Sequence, residues 1–131
     1  MEFRQFLVEH EFRFEGDTVG IITAYNPKGE TIPLEKNRRM NRRLWNELRA
    51  AGYDPWPVKG QYKGAAEQSF MVSDISRADL IHLAKKYDQE AVVWGRKTNK
   101  GYDVEWIEGG KTTKRGKITN IRSLISQSKA S

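Results

Sequence analysis

Residues 34–51, LEKNRRMNRRLWNELRAA, repeat their apolar members at helical spacing: Met40, Leu44, Leu48 and Ala51 fall on one side of a helix. Pro33 suits a first turn and Gly52 is a natural stop, so the pattern predicts a helix from Pro33 or Leu34 to Ala51. A helix this long with a single apolar stripe must lay that stripe on another layer. Runs with strand character lie on both sides of it in sequence, and the layer is therefore expected to be a sheet.

Two asparagines interrupt the stripe. With Leu44 at zero and about 100° per residue, Leu48 lies at about 40°, Ala51 at about 340° and Met40 at about 320°. Asn37 falls at about 20° and Asn41 at about 60°, while Arg38, Arg49, Arg42, Arg39 and Arg43 fan out over about 120–260°. The amides face the sheet and the guanidinium groups face solvent. A buried amide left without partners costs roughly 1–3 kcal/mol. The plain structural solution is that Asn37 and Asn41 tie down carbonyls of a loop such as YNPKG, 25–29. The functional solution is a pocket between the start of this helix and the carboxyl end of the strand before it. The two are compatible.

That strand is TVGIITAYNP, 18–27, a mostly apolar run (Val19, Ile21, Ile22, Ala24 and Tyr25) stopped by Asn26-Pro27. Earlier, Phe6, Val8, His10, Phe12 and Phe14 alternate within FLVEHEFRF, which predicts an edge strand, with a short helix as the alternative. After the helix, a Pro- and Gly-rich segment holds a short strand at Trp56–Tyr62, followed by a better one at 68–73. Ser76 and Asp79 form a capping box; Leu80, Ala84 and Tyr87 then share a helix face, flanked by Ile81 and Leu83. EAVVWGRKT reads as a buried strand. Tyr102, Val104 and Trp106 alternate with Asp103 and Glu105, the mark of a strand with one dry face. NKG between these two runs is a tight hairpin turn. GGKTTKRGKITNI suggests a further, basic hairpin running into a short helix or a tail.

The expected fold is α+β: a two-layer sandwich with an antiparallel or mixed sheet, two helices on one face, and a basic C-terminal β-hairpin. If 56–62 and 68–73 are separate strands, the order becomes βαββαβ, the ferredoxin-like pattern. One domain, 1–131, is expected, with its core at about 18–108 and a basic extension at 109–131.

Composition narrows the chemistry. The chain has no cysteine, which excludes disulfides, thiolate catalysis and cysteine-ligated zinc. No apolar run approaches the roughly 20 residues of a membrane span and no signal peptide is recognisable, so no membrane partner is expected and the cytosol is the expected compartment. The net charge of +6 and pI of about 9.6 favour an anionic partner, although charge of this size also serves solubility alone.

Catalytic motifs are missing: there is no HExxH, GxSxG, P-loop or paired HxT. His82 falls on the solvent face of the second helix, and His10 has no histidine partner nearby. No metal site and no cofactor is expected. Glu67 is the one weak catalytic candidate, a general base beside Asn26, Asn37 and Gln89. The same carboxylate and amides equally suit holding a nucleobase or ribose edge without reaction. The candidate ligand-binding set is Thr23, Tyr25, Asn26, Asn37, Asn41, Trp56, Glu67 and Gln89. Tyr25, Trp56 and Tyr62 are the stacking candidates, against the plain alternative that Tyr25 packs on the first helix; for Trp45, Trp94 and Trp106 the core reading is preferred. Arg38, Arg42, Lys111, Lys114, Arg115 and Lys117 form the candidate phosphate or nucleic-acid set, against the alternative of a solvated basic surface.

Ile22, Thr23, Ala24, Asn26 and Pro27, then Glu35, Asn37, Asn41 and Leu44, then Glu67, Phe70, Gln89, Ala91 and Val92 follow in an order that resembles the domain of unknown function 3293, a small family of bacterial and phage proteins. The resemblance covers about residues 19–94. It implies a shared fold and a shared polar constellation, and no activity. The arginines of the first helix and the basic segment after Gly110 depart from its pattern.

Two main function classes and two weaker ones follow. A non-enzymatic binder would hold a nucleotide-like ligand in the amide and carboxylate pocket; if encoded by a phage, as the family's distribution suggests, it would work in the host cytoplasm by sequestering a host signalling nucleotide or otherwise countering host defence. An RNA- or DNA-binding protein would use the arginine face and the basic hairpin. A small nucleotide-processing enzyme based on Glu67 and a protein that masks a host surface are weaker alternatives. A homo-oligomer is compatible with all of them.

Overall fold

The computed structural model describes residues 16–62 and 65–119. The strand expected at residues 6–14, His10 with it, and the end of the chain beyond 119 lie outside the described residues. The elements are β1 (Thr18–Ile22), a 3-10 turn (Pro27–Gly29), α1 (Leu34–Ala50), β2 (Pro55–Tyr62), β3 (Ala65–Ser73), α2 (Arg77–Lys86), β4 (Ala91–Thr98), β5 (Gly101–Glu108) and β6 (Lys111–Ile118). One six-stranded sheet runs β2-β3-β1-β4-β5-β6, antiparallel at every pairing. The fold is α+β. From β1 to β4 the elements follow the split βαβ order of ferredoxin-like sheets. The β5–β6 hairpin extends the sheet on the β4 side, and the basic segment is its outer strand.

Period-two alternation sorts the strands between two apolar sets. On the helix side, Ile22, Phe70, Val72, Val92 and Trp94 meet Leu44 and Leu48 of α1 and Leu80, Leu83 and Ala84 of α2. On the other face Val19, Ile21, Met71, Val93, Val104 and Trp106 are buried together. Gly20 lets α2 come close: a Cβ there would stand 2.8 Å from Ile75 and 2.9 Å from Leu80. Ser76 caps α2 by accepting the Asp79 N–H at 3.0 Å, as the capping pattern predicts.

Two details differ from expectation. β1 ends at Ile22 instead of Pro27, because the backbone from Thr23 onwards is held by side chains and not by a neighbouring strand. Ala51 is exposed, since it forms the C-cap and no longer faces the sheet.

Layer widths determine what stays open. A helix with side chains is about 10 Å wide and strands lie about 4.8 Å apart, so two helices cover about four strands. Here α1 packs against β2 and β3, and α2 against β1 and β4. Most of the helix-side face of β5 and β6 is left over; only Ile107, near the β5–β6 turn, joins the helix-side core. Among the described residues, no helix is long and apolar enough to cross a membrane.

Candidate functional site

Two polar regions lie at opposite ends of β1. The first gathers the polar residues of 23–37, 41, 67 and 89. Asn41, only 3% exposed, accepts the Ala24 N–H on Oδ1 at 2.9 Å and donates from Nδ2 to the Gln68 carbonyl at 2.9 Å. Its amide therefore stands where a peptide group would bridge the continuation of β1 to β3. The Thr23 hydroxyl donates to the same Gln68 carbonyl at 2.7 Å and accepts the Tyr25 N–H at 3.1 Å. Asn37, 4% exposed, accepts the Asn26 N–H at 2.7 Å and donates to Asn26 Oδ1 at 2.8 Å. Gln89 donates to the Tyr25 carbonyl at 3.0 Å.

These bonds hold a loop with unusual backbone. Asn26 and Lys28 adopt left-handed conformations, φ 48° and 59°, as does Asp88 with φ 52°. The Lys28 N–H donates to the Asp88 carbonyl at 2.6 Å. Such conformations persist where their surroundings over-determine them. Asn37 and Asn41 do fasten the loop after β1, chiefly through its N–H groups, with the one carbonyl they hold contributed by β3.

Glu67 closes this region. It is 7% exposed and accepts from Asn26 Nδ2 at 3.3 Å. Burial pushes its carboxyl up to about 7, with the Asn26 amide pulling the other way. Tyr25 is buried. Trp56 is half-buried on β2, packed against the apolar set opposite the helices. Tyr62 ends β2.

The second region is a groove of about 880 Å³ on the uncovered face, between the start of α2 and strands β4–β6. Register builds its floor. Arg96 of β4 lies opposite Asp103 of β5, which lies opposite Lys117 of β6; one row along, Trp94, Glu105 and Arg115 stand in line. At the rim, Arg77 Nε reaches Glu105 Oε1 at 2.7 Å and its Nη2 reaches Thr112 Oγ1 at 3.0 Å, while Thr112 donates to the same Glu105 oxygen at 2.6 Å. Burial opposes ionisation of Glu105. The bonds from Thr112 and Arg77, with the charges of Arg77 and Arg115, outweigh it and hold its carboxyl below the usual range. Arg96 lies over the Trp94 ring, 5.5 Å from its centroid, and Trp94 donates its indole N–H to the Ile75 carbonyl at 2.9 Å. Among the described residues, Arg96, Arg115 and Lys117 make no ion pair.

Arg115 and Lys117 of the expected phosphate set thus face the groove, whereas Lys114 turns to the other face over Trp106, 5.0 Å from its ring centroid. Lys111 is exposed at the start of β6, and Arg38 and Arg42 are exposed on α1. From β3, under α1, to β6 is four strand spacings, roughly 19 Å. The two basic groups do not form one patch. Arg77 and Arg96 were absent from the sequence-based set. The Asn99-Lys100 turn would have placed Arg96 opposite Asp103 by hairpin register, but the seat of Arg77 depends on how α2 docks.

Residues 22–92, more than half of the chain, match the model of the family described as protein of unknown function (DUF3293), and the chain belongs to that family. No curated protein matches the chain. The matched span contains the whole amide-held loop, Glu67 and Gln89. It stops before β5 and β6, so Asp103, Glu105, Arg115 and Lys117 lie beyond it.

Proposed function

We propose that this protein is a non-enzymatic binder of a nucleotide-like ligand whose phosphates sit in the groove between α2 and β4–β6. The observation that carries this reading is the set of cations there that make no ion pair among the described residues: Arg96, Arg115 and Lys117 face one groove, and no described carboxylate contacts them directly. Guanidinium and ammonium groups left in this state are suited to phosphate oxygens, which they bind by charge-assisted hydrogen bonds. A volume of about 880 Å³ suits a ligand of nucleotide size. The amides of Asn37 and Asn41 act in this reading as the scaffold of the loop after β1. A protein that holds such a ligand without transforming it removes it from solution, the role expected of a phage-encoded sponge.

A second reading places the ligand's base edge, or a proton transfer, at Glu67. It is favoured by one observation, a buried carboxyl poised near neutral pH beside an amide.

Thermal melting with millimolar ADP, a cyclic dinucleotide or pyrophosphate tests the groove, because a ligand that binds only the folded state raises the melting temperature. The expected result is a rise that Arg115→Glu with Lys117→Glu reduces at least 100-fold in apparent affinity, while Glu67→Gln leaves it unchanged. No rise with any of the three ligands removes the reading. Loss of binding in Glu67→Gln, with the charge reversal silent, moves the ligand to the other end of β1.

A further inference from the structure

We infer that the groove is built for a ribonucleotide and that Asp103 is its sugar-reading residue, accepting hydrogen bonds from the ribose hydroxyls while the neighbouring cations hold phosphate. The inference rests on the proposed phosphate site and specifies its ligand.

The two acids of the groove floor are in different states. Glu105 is engaged through Oε1 by Arg77 and Thr112. Asp103 is exposed, and no hydrogen bond or ion pair engages it among the described residues. Yet it stands at the centre of a three-strand row, with Arg96 opposite it on β4 and Lys117 opposite it on β6. Directly opposed charges of this kind can pair across strands. These three side chains leave their charges facing the groove instead. A carboxylate among phosphate-binding cations repels a plain polyanion. It becomes favourable only if the ligand carries donors next to its phosphates, and adjacent ribose hydroxyls are such donors, commonly met by an acidic side chain.

The bland alternative is that Asp103 merely moderates the positive field of β4 and β6. The alternatives differ in sign. If Asp103 only moderates charge, Asp103→Ala strengthens the binding of every phosphate compound to a similar degree. If it reads the sugar, the variant loses affinity for ribose compounds alone.

The experiment is calorimetric titration of the full chain and of Asp103→Ala with ADP, 2′,3′-dideoxy-ADP and pyrophosphate, and with octamers of riboadenylate and deoxyadenylate. The wild type is expected to bind ADP at least tenfold more tightly than the dideoxy compound. Asp103→Ala should erase that preference by weakening ADP, with dideoxy-ADP and pyrophosphate unchanged or tighter. Preference confined to the free nucleotide, or shared by the ribo-octamer, identifies the source, and either outcome supports the inference. Equal binding of ribose and dideoxy forms by the wild type overturns it, as does uniform tightening in the variant. Pyrophosphate reports on the underlying site: if it binds and is lost in Arg115→Glu with Lys117→Glu, the phosphate reading stands even when the sugar reading fails. Absence of binding by every probe overturns both. Asp103 is exposed, so the variant should melt with the wild type, and a melting curve checks this.

Discussion

At the carboxyl end of β1 the polar groups that hold the loop are amides and a hydroxyl bonded inside the protein, with Glu67 the one buried acid beside them; at its amino end they are charged, exposed and in part unpaired among the described residues. Asn37 and Asn41 spend their oxygens on the N–H groups of Asn26 and Ala24. Among the described residues Arg96, Arg115 and Lys117 make no ion pair, although Arg96 lies over the Trp94 ring. The difference separates two uses of polarity. A satisfied buried amide substitutes for backbone pairing where a strand leaves the sheet, and its removal is felt as lost stability. A cation kept out of ion pairs contributes little to folding, and its removal is felt by whatever anion it meets.

Asn41→Ala strains this contrast hardest. It orphans the Ala24 N–H and deprives the Gln68 carbonyl of one of two donors, each in a place with little water. At roughly 1–3 kcal/mol per unsatisfied buried group, the variant should lose about 3 kcal/mol of stability in urea unfolding. Its affinity for pyrophosphate, measured where it is still folded, should stay within about twofold, since cation and anion contacts at the groove are untouched. If Asn41→Ala is as stable as the parent, the amide is not a structural bridge.

Glu67 gives the next effect, and it depends on pH. The carboxyl titrates at about 7 in the folded chain, against 4.5 for the ordinary group. The folded state therefore resists ionisation, and the stability associated with the neutral acid is complete below about 4.5 and is lost as pH rises towards about 7. Gln cannot ionise and keeps an acceptor for Asn26. Glu67→Gln should match the parent near pH 4 and exceed it by up to about 3 kcal/mol at pH 8, measured by urea unfolding across that range. A constant difference at all pH values would show that burial of the carboxyl is not what perturbs it.

Periodicity carried much of the fold. The α1 stripe, the Ser76 cap and the alternation of Tyr102, Val104 and Trp106 are local signals, and each has its expected place. The inward turn of Asn37 and Asn41 was equally readable, because helical geometry alone orients them. The early end of β1 was not. It depends on side chains 17 and 27 residues apart from their partners competing for backbone groups that an apolar run would otherwise give to a strand. The groove was hidden for a different reason. Its cations come from β4, β6 and the first turn of α2, and only the sheet order shows that two helices leave most of β5 and β6 uncovered.

The smallest effect tests whether the basic groups act apart. Arg38→Ala with Arg42→Ala removes two exposed charges from α1, so stability should change by no more than about 0.5 kcal/mol. These residues stand above β2 and β3, roughly 19 Å from β6, and exposed charges at that distance are screened when the Debye length is about 8 Å. Affinity for pyrophosphate or a mononucleotide should therefore change less than about twofold at physiological ionic strength. A longer anion has a further option, because a strand that crosses the helix layer could touch both groups at once. Titration with an oligonucleotide sharpens the comparison: a tenfold loss for the octamer, with the mononucleotide unaffected, would make α1 an extension of the groove for polymers, whereas equal indifference would confine binding to the β4–β6 end.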